Sequence, residues 1–334
     1  MKTYYLFNPG RLSRQDNTLC FTPQTEGETG GVAKYIPISD VTDIFVFGSL
    51  DANSALYNFL GKHHVSVHFF DYYEHYCGSF MAKEYLQAGA LQVSQTRHYT
   101  SRKKRLLLAR RLVEGAAFNL SKTLRYYANR DKPVGGAIEL MERYAGTLPT
   151  ATTIEAIMGV EGNIRQTYFS AWDTLLPTDL PFHLRTRQPP QNEVNALISL
   201  GNMLCYSACL SQIYHTQLNP TVSFLHEPGT RRFSLALDLA EIFKPLLVDR
   251  LIFRMLNKRE LQPKDFRREL AGIVLKEEAK KTFVRAFEER LAETIQHRTL
   301  NRSVSYRGLI RLECYKLVKH VMGIDEYQPF KAWW

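Results

Sequence analysis

Val65-Ser66-Val67-His68-Phe69-Phe70-Asp71-Tyr72-Tyr73-Glu74-His75-Tyr76-Cys77-Gly78-Ser79-Phe80-Met81 is the stretch at which this chain changes period. Val65 to Phe70 is apolar and aromatic, the composition of a buried strand, and a Tyr-rich turn with Gly78 closes it. From about Met81 onward the apolar positions keep helical spacing. The residues before the switch are therefore expected to be sheet, and those after it helix.

Upstream, Lys2 to Phe7 reads as a strand and Arg11 to Phe21 as a hairpin turning at Asp16-Asn17, residue types that tolerate left-handed backbone. A Gly-rich turn (Gly27, Gly30, Gly31) precedes a short strand at Lys34 to Ile38. Ile44-Phe45-Val46-Phe47-Gly48 is an apolar strand ending in glycine. Asp51 to Lys62 is a helix candidate on the spacing of Ala55, Leu56, Phe59 and Leu60, so that residues 44–70 form a strand-helix-strand unit. Downstream, helices are expected at 81–94, 100–129, 134–146, 152–176, 192–216, 233–257, 263–295 and 303–321, with prolines marking breaks between several of them. The expectation is an α+β multidomain protein, with a small β domain over residues 1–90 and a larger all-α domain over 91–334.

With 334 residues, 45% hydrophobic and 23% charged, the chain has the material for a real core, which excludes a disordered or fibrous class. No signal peptide is expected from the N-terminal residues. The long charge-free run between Glu193 and Glu227 is interrupted by Asn and Ser, as in a core helix plus loop, so no membrane span is expected. Five scattered cysteines read as reduced thiols of a cytoplasmic protein. Nucleotide-hydrolase and serine-hydrolase glycine motifs are missing.

The net charge is +10. Between Arg97 and Arg130 stand ten basic residues against one acid, Glu114. This run, with Arg102, Lys103, Lys104, Arg105, Arg110 and Arg111 at its centre and Tyr99, Tyr126 and Tyr127 beside it, reads as a track for nucleic acid or another polyanion. A solvated amphipathic helix is the alternative.

Three places could carry chemistry. Glu161 falls on the apolar stripe Ile154, Ile157, Ile164, Tyr168 and Trp172, where an unpaired carboxylate is costly; it needs a metal or a partner such as Arg165, one helical turn on. His226 precedes the turn-forming Glu227-Pro228-Gly229 and can be a metal ligand or a packed ring. Asp238 and Glu241, three apart beside the stripe Leu235, Leu239, Ile242 and Leu246, repel unless a metal or Lys244 joins them, or each is a solvated helix acid.

Taken together, Met158-Gly159-Val160-Glu161-Gly162 with Tyr168, Phe224-Leu225-His226-Glu227, and Ser234 to Pro245 resemble one family, the first-numbered CRISPR-associated endonuclease and integrase of spacer acquisition. Tyr35-Ile36-Pro37-Ile38, Ile44 to Gly48 and Val67 to Asp71 fit it as well, and the ending Tyr327 to Trp334 resembles its type I-B branch. The resemblance implies an N-terminal β-sandwich through which the protein forms a homodimer, with a helical catalytic domain after it. It implies a metal triad of Glu161, His226 and Glu241, with Asp238 an auxiliary acid and Tyr206 an active-site tyrosine, and Mg²⁺ or Mn²⁺ as cofactor. The partners implied are double-stranded DNA with 3′ ends, the CRISPR repeat, and a small dimeric acquisition protein. The basic run and Arg165 would hold DNA backbone. Two other functions remain open: a nucleic-acid-binding subunit without catalysis, and a stand-alone metal-dependent nuclease.

Overall fold

The computed structural model describes residues 2–24, 31–71, 73, 75–81, 88–187, 189–230, 232–269 and 272–333. The chain divides into two compact units, Met1–Gln87 and Ala88–Trp334.

The first unit contains β1 (Lys2–Leu6), β2 (Gly10–Gln15), β3 (Thr18–Pro23), β4 (Lys34–Pro37), β5 (Val41–Val46), β6 (Leu50–Asp51), α1 (Ser54–Lys62), β7 (Ser66–Phe70) and β8 (Tyr76–Phe80). They form two four-stranded sheets, ordered β1-β5-β7-β8 and β4-β3-β2-β6. β5 and β7 pair in parallel, as the α1 crossover between them requires. The β2–β3 hairpin turns where expected, with Asp16 at φ 53° in the left-handed region. Leu12, Leu19 and Phe21 from one sheet share a buried cluster with Leu6, Ile44, Val46 and Val67 from the other and with Leu56, Phe59 and Leu60 of α1. Leu60 is fully buried, so Leu60→Ala is expected to cost about 2–5 kcal/mol. Two strands go beyond the sequence reading: β6, whose Asp51 is expected there to begin a helix, pairs parallel to β2, and the segment around Gly78, taken there as a terminator, is β8, paired antiparallel to β7. The Gly27 and Gly30 turn lies outside the described residues.

The second unit is helical: α2 (Gly89–Thr100), α3 (Arg102–Ala128), α4 (Gly135–Gly146), α5 (Ile154–Ser170), α6 (Trp172–Leu175), α7 (Glu193–Tyr214), α8 (Ser234–Lys244), α9 (Arg250–Asn257), α10 (Glu277–Ala292) and α11 (Tyr306–Val321). α3 packs on α4, α5 and α8, while α7 packs on α8 and α11. α7 is the one helix among the described residues long and apolar enough to cross a membrane, and 78% of its apolar window is buried inside the unit. Its polar Asn195, Ser207, Ser211 and Gln212 are buried with it.

Four expected helices differ from those found. The described part of 81–94 is helical only from Gly89, and residues 82–87 lie outside the described residues. The expected helix 152–176 breaks at Ala171 between α5 and α6. The expected helix 233–257 widens into a π turn at Pro245–Asp249. Proline has no N–H to donate to the preceding turn, so the ladder opens there, and Arg290 Nε donates to the Leu246 carbonyl at 3.2 Å. The expected helix 263–295 is a hairpin, β9 (Phe266–Glu269) with β10 (Gly272–Leu275), and then α10. A second hairpin joins β11 (Thr294–Gln296) to β12 (Ser303–Ser305), so the helical unit carries four short strands.

Candidate active site

The site begins with a loop held mainly by side chains, with a few backbone bonds such as Leu235 N–H to the Pro220 carbonyl at 3.0 Å. Residues 215–233 join α7 to α8 with almost no regular structure, and backbone groups outside a ladder need other partners. Gln95 of α2 supplies three: its Nε2 donates to the carbonyls of Asn219 (2.9 Å) and Val222 (2.7 Å), and its Oε1 accepts the Asn219 N–H at 2.9 Å. The Ser223 hydroxyl donates to the His226 carbonyl at 2.6 Å.

The strongest hold comes from Asp238 on α8, which is fully buried. Its Oδ2 accepts the N–H groups of Phe224 (2.7 Å) and Leu225 (3.0 Å), and its Oδ1 accepts the N–H of His226 at 2.9 Å. His226 Nδ1 also lies 2.9 Å from Oδ1. An ionised carboxylate can only accept, so the ring proton sits on Nδ1. Nε2 has no hydrogen-bond partner among the described residues. This is the arrangement in which a carboxylate orients a metal-binding imidazole.

Arg105 braces the same loop from α3. Its Nε donates to the Phe224 carbonyl at 3.0 Å, and its guanidinium pairs with Glu227 at 2.6 Å. Tyr99 donates to the same carboxylate, and Arg105 lies 4.3 Å over the Tyr99 ring. Glu227, Tyr99 and Arg105 thus form a side support for the histidine, a role that counting charges along the sequence did not reveal.

The carboxylates of Glu161 and Glu241 meet because α5 and α8 both lie against α3. Arg165, four residues beyond Glu161, pairs with Glu161 and with Glu241 at once. Lys244 takes the other oxygen of Glu241 at 2.7 Å. Glu161 retains 21% side-chain exposure and Glu241 9%, so the pair stands at the edge of the core, reachable from solvent on the Glu161 side. Burial, then the neighbouring Arg165 charge, pushes the Lys244 ammonium down to about 8. Asp249, at the end of the π turn, is pushed up to about 7 by burial, with Arg165 opposing.

The structure therefore joins Glu161 to Glu241 through one cation, and His226 to Asp238, one turn before Glu241 on the same helix. Among the described residues no group of three His, Cys, Asp or Glu stands ready as a metal cage. The donor chemistry nonetheless fits a divalent ion: two carboxylates from different helices already share one positive charge, and an imidazole nitrogen is uncommitted. Two oxygens and one nitrogen suit Mn²⁺ well and Mg²⁺ acceptably. Tyr206 accepts the Phe233 N–H on its hydroxyl at 3.2 Å, holding the start of α8.

Most of the basic run is directed at the protein itself. Arg102 donates to the Thr152 carbonyl at 3.0 Å, Arg110 to that of Ala151, and Arg111 pairs with Glu114 and Glu326. Lys103 and Lys104 remain exposed.

The chain matches a family model described as "CRISPR associated protein Cas1" over residues 4–289. It is 43% identical to a CRISPR-associated endonuclease Cas1 of Fusobacterium nucleatum over 333 residues, covering 100% of this chain and 97% of the relative. It is 40% identical to that of Methanocaldococcus jannaschii over 332 residues, 99% of each chain. Among solved structures it superposes on a Cas1 protein from Thermotoga maritima with a TM-score of 0.85 at 38% identity, each chain covered in full. A casposase bound to an integration product shares the fold, with a TM-score of 0.88 at 20% identity over 99% of this chain and 93% of that one.

Proposed function

The chain belongs to the Cas1 family of CRISPR-associated endonucleases, and from that premise we propose that its helical unit is a metal-dependent DNA endonuclease and integrase. In this reading the 3′-hydroxyl of a short foreign DNA attacks a phosphodiester of the CRISPR repeat. The new ester bond forms as the old 3′-oxygen leaves, and water in place of the hydroxyl gives cleavage. The observation that supports the reading is the convergence of Glu161 and Glu241, from separate helices, on one cation, with His226 tied through Nδ1 to Asp238, one turn before Glu241 on the same helix.

Glu161, His226 and Glu241 would hold Mg²⁺ or Mn²⁺. When bound, such an ion draws charge off the phosphate oxygens and lowers the pKa of the attacking hydroxyl. The residues of the chain do the rest. Asp238 keeps the His226 proton on Nδ1 and turns Nε2 outward. Arg165 and Lys244 balance the charge of the two carboxylates. Arg105, Tyr99 and Glu227 keep the loop from swinging away.

The wider proposal rests on the family resemblance: action in the cytoplasm, a homodimer formed through the strand-rich unit, a small acquisition partner, and a type I-B branch. Supporting the partner, a neighbour in fold at 18% identity is named as a Cas6-RT-Cas1–Cas2 complex.

A second reading has its own observation. Arg165 and Lys244 already neutralise the acids, as in a purely structural ion-pair network, which favours a DNA-binding subunit without catalysis. Joining of a 3′-ended DNA to a repeat-bearing plasmid separates the readings. Loss of joining and cleavage in EDTA, restored by Mn²⁺, is expected for the integrase. Undiminished activity in EDTA sinks the metal-dependent reading, and cleavage without joining leaves only a nuclease.

A further inference from the structure

Beyond the carboxylate site, the end of α3, the length of α9 and the end of α10 line an open cavity of about 440 Å³. That volume lies in the range of small-ligand sites, about 300–1,000 Å³. Six cationic side chains line it: Arg130, Lys132, Arg250, Arg254, Lys258 and Arg290. Two are matched, since Arg290 pairs with Glu293 and Arg254 with Glu260 at 3.5 Å. No carboxylate among the described residues pairs with the other four. Like charges facing one cavity repel, and an anionic guest relieves that repulsion.

The wall also carries an aromatic platform. Arg130 stacks 3.7 Å from the Tyr126 ring centroid and Arg250 lies at 5.1 Å. Tyr127 meets Tyr126 edge-on at 5.1 Å and Phe253 at 5.3 Å, which fixes the ring planes. Arg130 spends one terminal nitrogen on the Tyr126 carbonyl at 3.1 Å, and a guanidinium stacked by its face still directs its other N–H groups sideways toward oxygen acceptors. None of Glu161, His226 and Glu241 lines this cavity.

We propose that the cavity is a separate anion site that takes a phosphate group bearing a planar base, the chemistry shared by a single DNA strand and a free nucleotide. Arg130, Lys132, Arg250 and Lys258 donate to the phosphate oxygens, and the base stacks against the Tyr126–Arg130 pair. The proposal is independent of the catalytic reading.

The test is binding by the full chain in metal-free buffer, read as fluorescence anisotropy of a labelled 5′-phosphorylated pentathymidylate. Thymidine 5′-monophosphate and inorganic phosphate serve as competitors. Lys132→Glu/Lys258→Glu, both exposed, is expected to weaken strand binding at least tenfold and to make the salt slope shallower by about 1.4, two phosphate contacts at about 0.7 each. Tyr126→Leu is expected to weaken it about tenfold. The same charge change elsewhere, Lys264→Glu/Lys276→Glu, exposed and outside the cavity lining, should stay within twofold. Competition by the monophosphate assigns the site to free nucleotides, and its failure assigns the site to strands. Equal losses in the pocket and control variants, or none in either, would overturn the proposal.

Discussion

Asp238 holds His226 twice through one oxygen: Oδ1 lies 2.9 Å from the backbone nitrogen and 2.9 Å from ring Nδ1. Asp238→Asn keeps the shape but replaces one acceptor with a donor, leaving buried N–H groups of the loop unsatisfied at about 1–3 kcal/mol. Second-layer losses of this kind lower metal affinity or activity by about 10–100-fold. We expect such a fall in strand joining, with the optimum Mn²⁺ concentration moved upward. Wild-type joining at wild-type metal would remove Asp238 from the site.

Arg165 is the tie between two acids. In Arg165→Met the ion-free chain holds Glu161 facing Glu241 without their shared charge, so its melting temperature should drop, as happens when a partly buried ion pair loses one partner. Mn²⁺ should then raise the melting temperature more than it does in the wild type, because binding to the folded state adds stability by mass action. Identical metal-induced shifts would mean that no ion enters between these carboxylates.

Glu161→Gln, His226→Ala and Glu241→Gln are each expected to abolish joining while circular dichroism stays close to that of the parent, the two Gln variants melting lower because each takes a carboxylate from Arg165. Each replacement removes one donor of the proposed set and leaves the surrounding helices in place. Joining at the parent rate in any one of them would excuse that residue.

How much of this could be read from the sequence varies with the kind of signal. The hairpin at Asp16 and the α1 crossover were legible because turn chemistry and periodicity are local. Glu161 and Asp238 were legible as polar residues on or beside apolar stripes. The hairpin at 266–275 was not, since Phe266-Arg267-Arg268-Glu269 is one apolar residue before three charged ones, with no two-residue alternation to compete with the helical spacing around it. One clue to it is visible in the structure: Gly272 has φ +102°, and a Cβ there would lie 2.5 Å from the Pro190 carbonyl. The basic run shows the opposite limit. Charge can be counted along a chain, but only the fold shows that Arg105 is committed to Glu227 and Arg111 to Glu326.

Stability should depend on pH through Asp249. Its folded pKa is raised from 3.8 to about 7 by burial, so between these values the folded chain keeps a proton that the unfolded chain releases. The stability it contributes is full below the unfolded value and is lost as pH climbs through the folded one. Lys244, lowered from 10.5 to about 8, makes stability rise with pH between its two values. Asp249→Asn should flatten the fall in melting temperature from pH 5 to 7.5, measured at constant ionic strength. A slope equal to that of the wild type would show that Asp249 does not drive it.

Gly115 of α3 lies against Pro329, where a Cβ would come within 2.6 Å of the proline ring. Gly115→Ala should therefore push the 327–333 segment off α3 at a cost of about 1–3 kcal/mol. Faster proteolysis within that segment is the readout, and an unchanged digestion pattern would count against the tight approach.

That segment reaches further than its own contacts. Asn119 donates to the carbonyls of Ile242 (3.0 Å) and Phe330 (3.1 Å) and accepts the Ala332 N–H at 2.9 Å. Buried Glu313 accepts from the Tyr327 hydroxyl at 2.7 Å and the Phe330 N–H at 2.9 Å. A fragment cut after residue 289, where the family match stops, would retain every proposed ligand and still lose the buttress behind Ile242, the neighbour of Glu241. Anyone trimming this protein to a minimal enzyme should keep that distal strap, because the chemistry leans on it from behind.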